Sequence, residues 1–381
     1  MQSTSRRWLI RLNVASAATI SCGGLYTYYK QPSSHNASPQ ALNKTSFTPY
    51  TLIAREKVSD TSTILRLRAP QGLSQADKEA EERWKGCLWR KGIWSVEIKQ
   101  PQLMIARRYT PLPSFDALLR PSDTATGSGS ATSAATSAQA PESTEIEDLS
   151  ILLRREPQGE LSRYLDRLPV NSPVEVRGGF KEYNIPEDVQ DVVFLAGGTG
   201  IAPALQTARC LQERENTSLT ILWANRLRAD CVGGTNSTGE EPAQSLGWLE
   251  WVGWSKIKAN PVEALPPGEK SLIVRQLDAL SARSTSGGAE HDSSIQLSAR
   301  YFVDEEKSFI QQKDLAKALS WKICRNEAAT TRRKLIIVSG PDGFVEYVAG
   351  PKRLVNGIET QGAIGGLLSK IDLTDWDVHK L

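Results

Sequence analysis

Hydrophobic and polar positions alternate in short stretches along the first half of the chain. The alternating stretches are residues 50–55, 62–68, 93–99, 102–110 and 149–155. Each predicts a strand with one face buried, and several short strands separated by turns are typical of a small antiparallel barrel. Between the second and third stretches, residues 75–85 are strongly charged and fit either a helix or an inserted loop.

Beyond Asp191 the pattern changes to short apolar runs separated by helical spacing. The strand candidates are residues 192–196, 219–224, 271–274, 300–303 and 335–338. Residues 204–213 place Leu205, Ala208 and Leu211 on one helical face. Residues 231–246 and 281–298 are polar insertions. Strands that alternate with helices favour an open parallel sheet covered by helices on both faces.

The predicted organisation is therefore a β-barrel followed by an α/β unit. We place the barrel at residues 47–188 and the parallel nucleotide-type sheet at 189–381, after a polar linker at 31–46. Residues 122–142 are a low-complexity insertion rich in Ser, Thr, Ala and Gly, which predicts disorder.

The start of the chain has the composition of a mitochondrial targeting segment. Residues 1–55 contain no Asp or Glu, and Arg6, Arg7 and Arg11 alternate with apolar residues. Residues 12–29 are uncharged and end in a tyrosine cluster. We predict a targeting and transmembrane segment within residues 1–30, with a single span at 12–29. A presequence that is wholly cleaved is the alternative.

Composition excludes several classes of site. The 381 residues carry 46 Lys and Arg against 43 Asp and Glu, so nothing indicates a nucleic-acid-binding protein. The five cysteines form no C-x-x-C, and the three histidines lie far apart. We therefore predict neither a disulfide framework nor a metal site, and expect difficult chemistry to belong to an organic cofactor.

A glycine turn stands between the strand at 192–196 and the following helix. Gly197, Gly198 and Gly200 allow a tight turn, and Pro203 suits the first turn of a helix. The helix start leaves backbone N–H groups that can bind a phosphate. The spacing is not G-x-G-x-x-G, because Pro203 takes the third place, and no Lys-Ser/Thr follows. A plain turn therefore remains open on spacing alone.

Four segments together resemble one protein family. They are residues 107–110 (RRYT), residues 159–162 (GELS), residues 196–203 (AGGTGIAP) and residues 339–341 (SGP). They resemble, in order and spacing, the flavin and nucleotide motifs of the ferredoxin–NADP reductase superfamily, in particular its cytochrome b5 reductase branch. The resemblance covers about residues 47–344 and implies an FAD-containing reductase that takes a hydride from NADPH or NADH.

The same resemblance implies roles for particular residues. Arg107 would bind the FAD pyrophosphate, Tyr109 would pack on the flavin and Thr110 would lie near its N5 atom. The other implied FAD-binding residues are Leu152, Leu153, Arg154, Gly159, Leu161 and Ser162. The implied nicotinamide-side residues are Gly197, Gly198, Thr199, Gly200, Ser339, Gly340 and Pro341. Thr110 and Ser339 are the implied catalytic positions.

Three positions bear on the rate of turnover and on the choice of electron donor. The family cysteine is replaced by Ser339, which puts fast turnover in doubt. Arg226 and Arg228 follow the second strand of the parallel sheet, where arginine can accept a 2′-phosphate. This favours NADPH slightly, and the choice between NADH and NADPH stays open.

The mitochondrial start and the C-terminal tail are similar to those of fungal mitochondrial flavoproteins that assist covalent haem attachment to cytochrome c. That likeness implies an inner-membrane protein whose catalytic part faces the intermembrane space and reduces ferric haem. Cytochrome c haem lyase and apocytochrome c are the implied partners. Electron transfer to a haem protein, as in cytochrome b5 reductase, and a non-catalytic assembly scaffold are the alternatives.

Overall fold

The computed structural model describes residues 40–114, 148–236, 270–286, 295–320 and 333–381. The predicted targeting and membrane segment and the insertion at 122–142 lie outside the described residues, as does the linker up to residue 39. Within the described ranges, no helix combines the length and the apolar character needed to cross a membrane.

The first half of the described chain builds an antiparallel sheet. Its elements are β1 (Thr48–Lys57), β2 (Ser62–Arg68), α1 (Gln75–Lys91), β3 (Gly92–Gln100), β4 (Ile105–Tyr109), β5 (Pro111–Leu112), β6 (Leu149–Arg154), α2 (Glu160–Arg167) and β7 (Pro173–Asn184). The strand order is β4-β3-β7-β1-β2-β6-β5. Thr48, Tyr50 and Leu52 alternate as buried residues along β1, and every pairing of the sheet is antiparallel. The antiparallel character of the predicted barrel is therefore confirmed, while among the described residues the strand order runs from β4 to β5 without a pairing that closes it.

The charged segment after β2 is a helix rather than a loop. Ser74 caps α1 by accepting a hydrogen bond from the Asp77 N–H. Glu81 is fully buried on this helix and accepts hydrogen bonds from the Leu42 N–H and the Tyr50 hydroxyl, both at 3.0 Å. Lys85 lies 2.6 Å from the same carboxylate. The hydrogen bond from Tyr50 of β1 to Glu81 therefore fixes the helix to the sheet, and Lys85, on the same helix, balances the buried charge.

The second half builds a parallel sheet with helices. Its elements are β8 (Val189–Gly197), α3 (Ile201–Gln212), β9 (Ser218–Asn225), α4 (Leu272–Ser286), β10 (Gln296–Val303), α5 (Gln312–Leu319), β11 (Arg333–Ser339), α6 (Asp342–Ala349), β12 (Arg353–Val355), β13 (Ile358–Thr360) and β14 (Trp376–Lys380). The order of the main sheet is β10-β9-β8-β11-β14, and every pairing within it is parallel. This confirms the predicted parallel sheet.

Two predictions of elements in this half were wrong. Residues 271–274 do not form a strand, because residues 272–274 begin helix α4, whose buried residues face the sheet. The stretch 281–298, taken as a polar insertion, includes the end of α4 and the start of β10. A short apolar run has no period that distinguishes strand from helix. The last strand, β14, was not predicted.

Helix α3 joins the two sheets through a buried side chain. The Gln206 amide is fully buried. Its Oε1 accepts a hydrogen bond from the Trp94 N–H at 2.9 Å, and its Nε2 donates to the Pro111 carbonyl at 2.8 Å. One residue of the parallel-sheet half therefore satisfies two backbone groups of the antiparallel half.

Candidate active site

A cavity of about 550 Å³ lies between the two sheets and is lined by residues from all four motifs. Twelve of the residues proposed from sequence line it: Arg107, Tyr109, Thr110, Leu152, Arg154, Gly159, Leu161, Ser162, Thr199, Gly200, Ser339 and Gly340. The lining residues that the sequence reasoning did not propose are Ile105, Arg108, Glu156, Gln158, Glu160, Ala202 and Pro203. They are neighbours of motif residues, which is the signal that could have found them.

One end of the cavity is suited to an anion. Gly159 caps helix α2 without a side-chain hydrogen bond, so the first N–H groups of the helix have no cap. Arg107 is exposed, and among the described residues its guanidinium donates a hydrogen bond to the carbonyl of its neighbour Ala106. A guanidinium beside uncapped helical N–H groups is the donor set that binds a pyrophosphate.

The Ser162 hydroxyl is already engaged within the protein. It accepts a hydrogen bond from the Glu156 N–H and donates to the Gly159 carbonyl, both at 3.1 Å. Its side chain therefore shapes the loop before α2. The group of Ser162 that can donate a hydrogen bond to a phosphate is therefore its backbone N–H.

Tyr109 supplies an aromatic wall beside the anion-binding end. Burial raises the pKa of its phenol to about 12, so the ring is neutral at physiological pH. Thr110 lies between β4 and β5 and also lines the cavity. A neutral aromatic face of this kind packs well on a flat heterocycle.

The glycine turn and the Ser339 segment meet backbone to backbone. Residues 198–200 form a single 3-10 turn between β8 and α3. A Cβ on Gly200 would lie 2.2 Å from the Ser339 carbonyl oxygen, so only glycine permits this approach. The Trp223 Nε1 donates to the Gly198 carbonyl at 2.9 Å and ties the turn to β9. Thr199, Gly200, Ser339 and Gly340 are thereby held on one wall of the cavity.

Arg154 sits where the antiparallel half meets the loop after β9. Its Nη1 lies 3.3 Å from the Asp230 carboxylate, and its Nε lies 3.7 Å from Glu156. Asp230 is buried and accepts hydrogen bonds from the Ser59 and Ser62 hydroxyls at 2.6 and 3.2 Å. Asp230 therefore links Arg154 to the turn between β1 and β2, and nothing in the sequence marked it.

Five residues proposed from sequence do not line this cavity: Leu153, Gly197, Gly198, Arg226 and Pro341. Leu153 is buried in the core of the antiparallel sheet. Gly197 packs against the Phe344 ring, and Pro341 precedes helix α6. Gly198 lines a separate small pocket with Thr199 and Trp223.

The two arginines after β9 differ in their surroundings. Arg226 is half-buried, and burial followed by the nearby Arg154 charge lowers the pKa of its guanidinium. Arg228 pairs with Glu306 through two hydrogen bonds of 2.6 and 2.5 Å and donates to the Gly234 carbonyl at 2.7 Å. Its N–H also donates to Glu305. Arg228 is therefore committed to protein partners, which weakens the sequence argument for a 2′-phosphate there.

A second cavity of about 330 Å³ adjoins the first. The two share Arg108, Thr110, Pro203 and Ser339. The second also reaches the C-terminal residues 379–381. His379 stacks on Tyr183 with ring centroids 3.8 Å apart, and burial lowers the pKa of its imidazole to about 4. The imidazole is therefore neutral at physiological pH.

The residues present fit FAD. The larger cavity combines a guanidinium and uncapped helical N–H groups at one end with an aromatic face and the apolar Leu152 and Leu161 side chains. These are the features that a dinucleotide with a charged pyrophosphate and a flat ring system requires.

Comparison with known proteins gives matches over both halves. Residues 194–234 match the oxidoreductase NAD-binding domain family. The chain is 26% identical over 310 residues to the cytochrome c mitochondrial import factor CYC2 of Saccharomyces cerevisiae, covering 76% of this chain and 72% of that protein. It is 36% identical over 92 residues to NADH-cytochrome b5 reductase 1 of Meyerozyma guilliermondii, covering 23% of this chain and only 32% of the reductase. The cytochrome b5 reductase domain of Ulva prolifera nitrate reductase aligns with a TM-score of 0.44 at 15% identity, covering 81% of this chain and 92% of that domain.

Proposed function

We propose that this chain, which belongs to the cytochrome b5 reductase-like branch of the ferredoxin–NADP reductase superfamily, reduces ferric haem in the mitochondrion. The chain is an FAD-containing reductase that uses NADH or NADPH as electron donor. The observation that carries the proposal is the single cavity in which residues of all four motifs meet. The acceptor, the partners and the membrane location are parts of the proposal.

Bound FAD supplies hydride acceptance from the nicotinamide and release of electrons one at a time. Arg107 and the first N–H groups of α2 hold the pyrophosphate. Tyr109 packs on the flat ring, and its burial in the cavity wall keeps that face of the ring out of water. These residues fix the position of the cofactor, and alignment is what hydride transfer needs from a protein.

On the opposite wall, Thr199, Gly200 and Ser339 position the nicotinamide. The close approach of Gly200 to the Ser339 carbonyl leaves no gap between the two segments. This contact helps to exclude water from the side where the donor binds. Ser339 is 8% exposed and places a hydroxyl where family members carry a thiol, so it is a position that tunes the rate.

Haem is the proposed acceptor because the similarity to the yeast import factor spans most of both chains. We propose apocytochrome c and cytochrome c haem lyase as partners, since reduced haem is what the attachment reaction would receive. We further propose that residues 12–29 anchor the chain in the inner membrane and that its catalytic part faces the intermembrane space.

A second candidate acceptor is a haem protein of the cytochrome b5 kind. The similarity to NADH-cytochrome b5 reductase 1 favours it, although that match covers only 92 residues. The two candidates differ in which acceptor reoxidises the reduced flavin faster.

The test is an anaerobic visible spectrum of the purified full chain in detergent. We expect a bound-flavin band that bleaches with NADH or NADPH and returns when ferric haem is added. Faster return with cytochrome b5 than with haem would favour the second candidate. A folded chain that binds no FAD would overturn the reductase. Unchanged cytochrome c maturation with the double variant Arg107→Ala and Tyr109→Ala, which removes FAD contacts, would instead indicate a scaffold.

A further inference from the structure

The strands β12 and β13 form a hairpin that pairs with neither main sheet in the described part of the chain. Residues 353–355 pair with residues 358–360, and Asn356 and Gly357 make the turn with positive φ angles of 53° and 78°. An Asn-Gly pair in this conformation is the favoured two-residue hairpin turn. All six strand residues are exposed. We call residues 353–360 the C-terminal hairpin.

Three of the six exposed strand residues of the C-terminal hairpin are apolar. Leu354, Val355 and Ile358 are 75%, 51% and 69% exposed, and Ile364 just beyond is 47% exposed. Val355 lies opposite Ile358 on one face, and Leu354 lies on the other face opposite Glu359. The tip therefore carries an apolar side chain on each of its faces, although Leu354 shares its face with Glu359. A lone two-stranded hairpin is only marginally stable in water.

A buried lysine holds the base of this hairpin in place. Lys380 is 2% exposed, and its ammonium donates to the Pro351 carbonyl at 3.3 Å and the Ala363 carbonyl at 2.9 Å. The Gln361 side chain makes two hydrogen bonds with the Lys380 backbone. Its Nε2 donates to the Lys380 carbonyl at 3.0 Å, and its Oε1 accepts from the Lys380 N–H. Both ends of the hairpin are thus fixed to β14, and the apolar tip projects from a rigid base.

Cations surround this base. Lys352 and Arg353 stand at the start of the hairpin, directly after Pro351, whose carbonyl accepts from the Lys380 ammonium. Burial lowers the pKa of Lys380, and the Arg353 and Lys352 charges lower it further. Glu359 pairs with Lys352 at 3.3 Å. Arg353 has no ion pair among the described residues. The base therefore carries a positive field beside an apolar tip.

We propose that the C-terminal hairpin contacts an anionic membrane surface, with its tip in the interfacial region and Lys352 and Arg353 among the lipid phosphates. Three extended residues project about 10 Å, which matches the depth of the interfacial region. A groove on a protein partner would accept one face of a hairpin, whereas apolar groups on both faces suit a fluid medium. Basic residues beside an inserted apolar element add attraction to anionic lipid.

The contact would place a membrane beside the second cavity. Lys352, Glu359 and Gln361 line that cavity, so its mouth lies at the base of the hairpin. An amphiphile that partitions into lipid would then reach the cavity from the membrane surface. The proposal concerns a surface separate from residues 12–29 and does not depend on the acceptor proposed above.

The test uses the full chain in vesicles of phosphatidylcholine with about one-fifth phosphatidylglycerol. A photoreactive benzoylphenylalanine replaces Ile358 in one variant and Met104 in a matched control. Met104 is 71% exposed in the turn between β3 and β4, so the two probes start equally accessible. We expect at least about fivefold more lipid adduct at position 358 than at 104.

Two further variants test the named groups. Leu354→Ser with Val355→Ser should lower the adduct at position 358 severalfold, and Lys352→Gln with Arg353→Gln should lower it in anionic vesicles only. Equal yields at positions 358 and 104, or adducts of position 358 with a protein chain instead of lipid, would overturn the proposal. Flavin bleaching by NADH is recorded for each variant. Absence of bleaching in the unsubstituted chain would count against the reductase function and leave the lipid result unaffected.

Discussion

Replacing Gln206 with leucine should weaken the joint between the two halves of the enzyme. The amide is fully buried and makes hydrogen bonds of 2.9 Å with the Trp94 N–H and 2.8 Å with the Pro111 carbonyl. Leucine removes both hydrogen bonds and leaves two buried backbone groups without a partner. Each unpaired group costs about 1–3 kcal/mol of stability. The apolar side chain recovers about 1 kcal/mol. We expect the free energy of unfolding to fall by about 3 kcal/mol.

The assay is a urea titration followed by tryptophan fluorescence, with Thr207→Val as the matched control. Thr207 is equally buried on the same helix, but its hydroxyl bonds only the Pro203 carbonyl within the helix. Valine keeps its shape, so the control should lose no more than about 1 kcal/mol. FAD retention should also fall in Gln206→Leu, because Pro111 follows the cavity residue Thr110. Equal losses in the two variants would refute the reasoning.

Three further predictions concern single side chains. Arg107→Ala should weaken FAD binding by about 10–100-fold in a fluorescence titration. The control, Arg108→Ala, should change FAD binding little, because the Arg108 guanidinium pairs with Glu182 at 3.0 Å. Equal effects of the two substitutions would contradict the pyrophosphate role of Arg107. Ser339→Cys should speed flavin reduction by NADH severalfold in stopped flow, and a slower rate would contradict a tuning role. His379 has a folded pKa of about 4, below its unfolded value of 6.5, so its contribution to stability is present above pH 6.5 and lost as pH falls toward 4. His379→Gln should reduce the loss of stability between pH 7 and pH 5 by about 1 kcal/mol, allowing for solvent screening, and an unchanged loss in urea titrations at both pH values would contradict the burial argument.

The antiparallel strands could be predicted because parts of them bury alternate residues. Val96 and Ile98 are fully buried two residues apart, and this spacing is visible in the sequence. Residues 271–274 gave no such signal, since Leu272, Ile273 and Val274 are consecutive and fit either element. Strand β14 also escaped prediction, because Trp376–Lys380 is short and its pairing with β11 completes the sheet only in three dimensions.

The candidate site divides in the same way. Residues that line the cavity recur in motifs, because the ligand dictates their chemistry and the turn geometry dictates their spacing. Residues that bring the motifs together carry no such pattern. Gln206 bonds groups about 95 and 112 positions away, and Asp230 accepts from Ser59 across 171 positions. A buried amide or carboxylate can form its hydrogen bonds with any suitably placed partner. The neighbouring residues in the sequence therefore do not indicate which partner it binds.

Arg154 belongs to both groups of residues, since it lines the cavity and also contacts the other half of the protein. It lies in the flavin-side strand β6, yet its nearest carboxylate partner, Asp230, belongs to the loop after β9 in the nucleotide-side half. Its charge therefore neutralises a buried group that three hydroxyls of the β1–β2 turn also approach. A change at Arg154 would leave that carboxylate buried without its cation, which costs more than a lost surface contact. Arg154 thus acts on the site partly by holding the two halves of the cavity in register, a role that its motif position alone does not reveal.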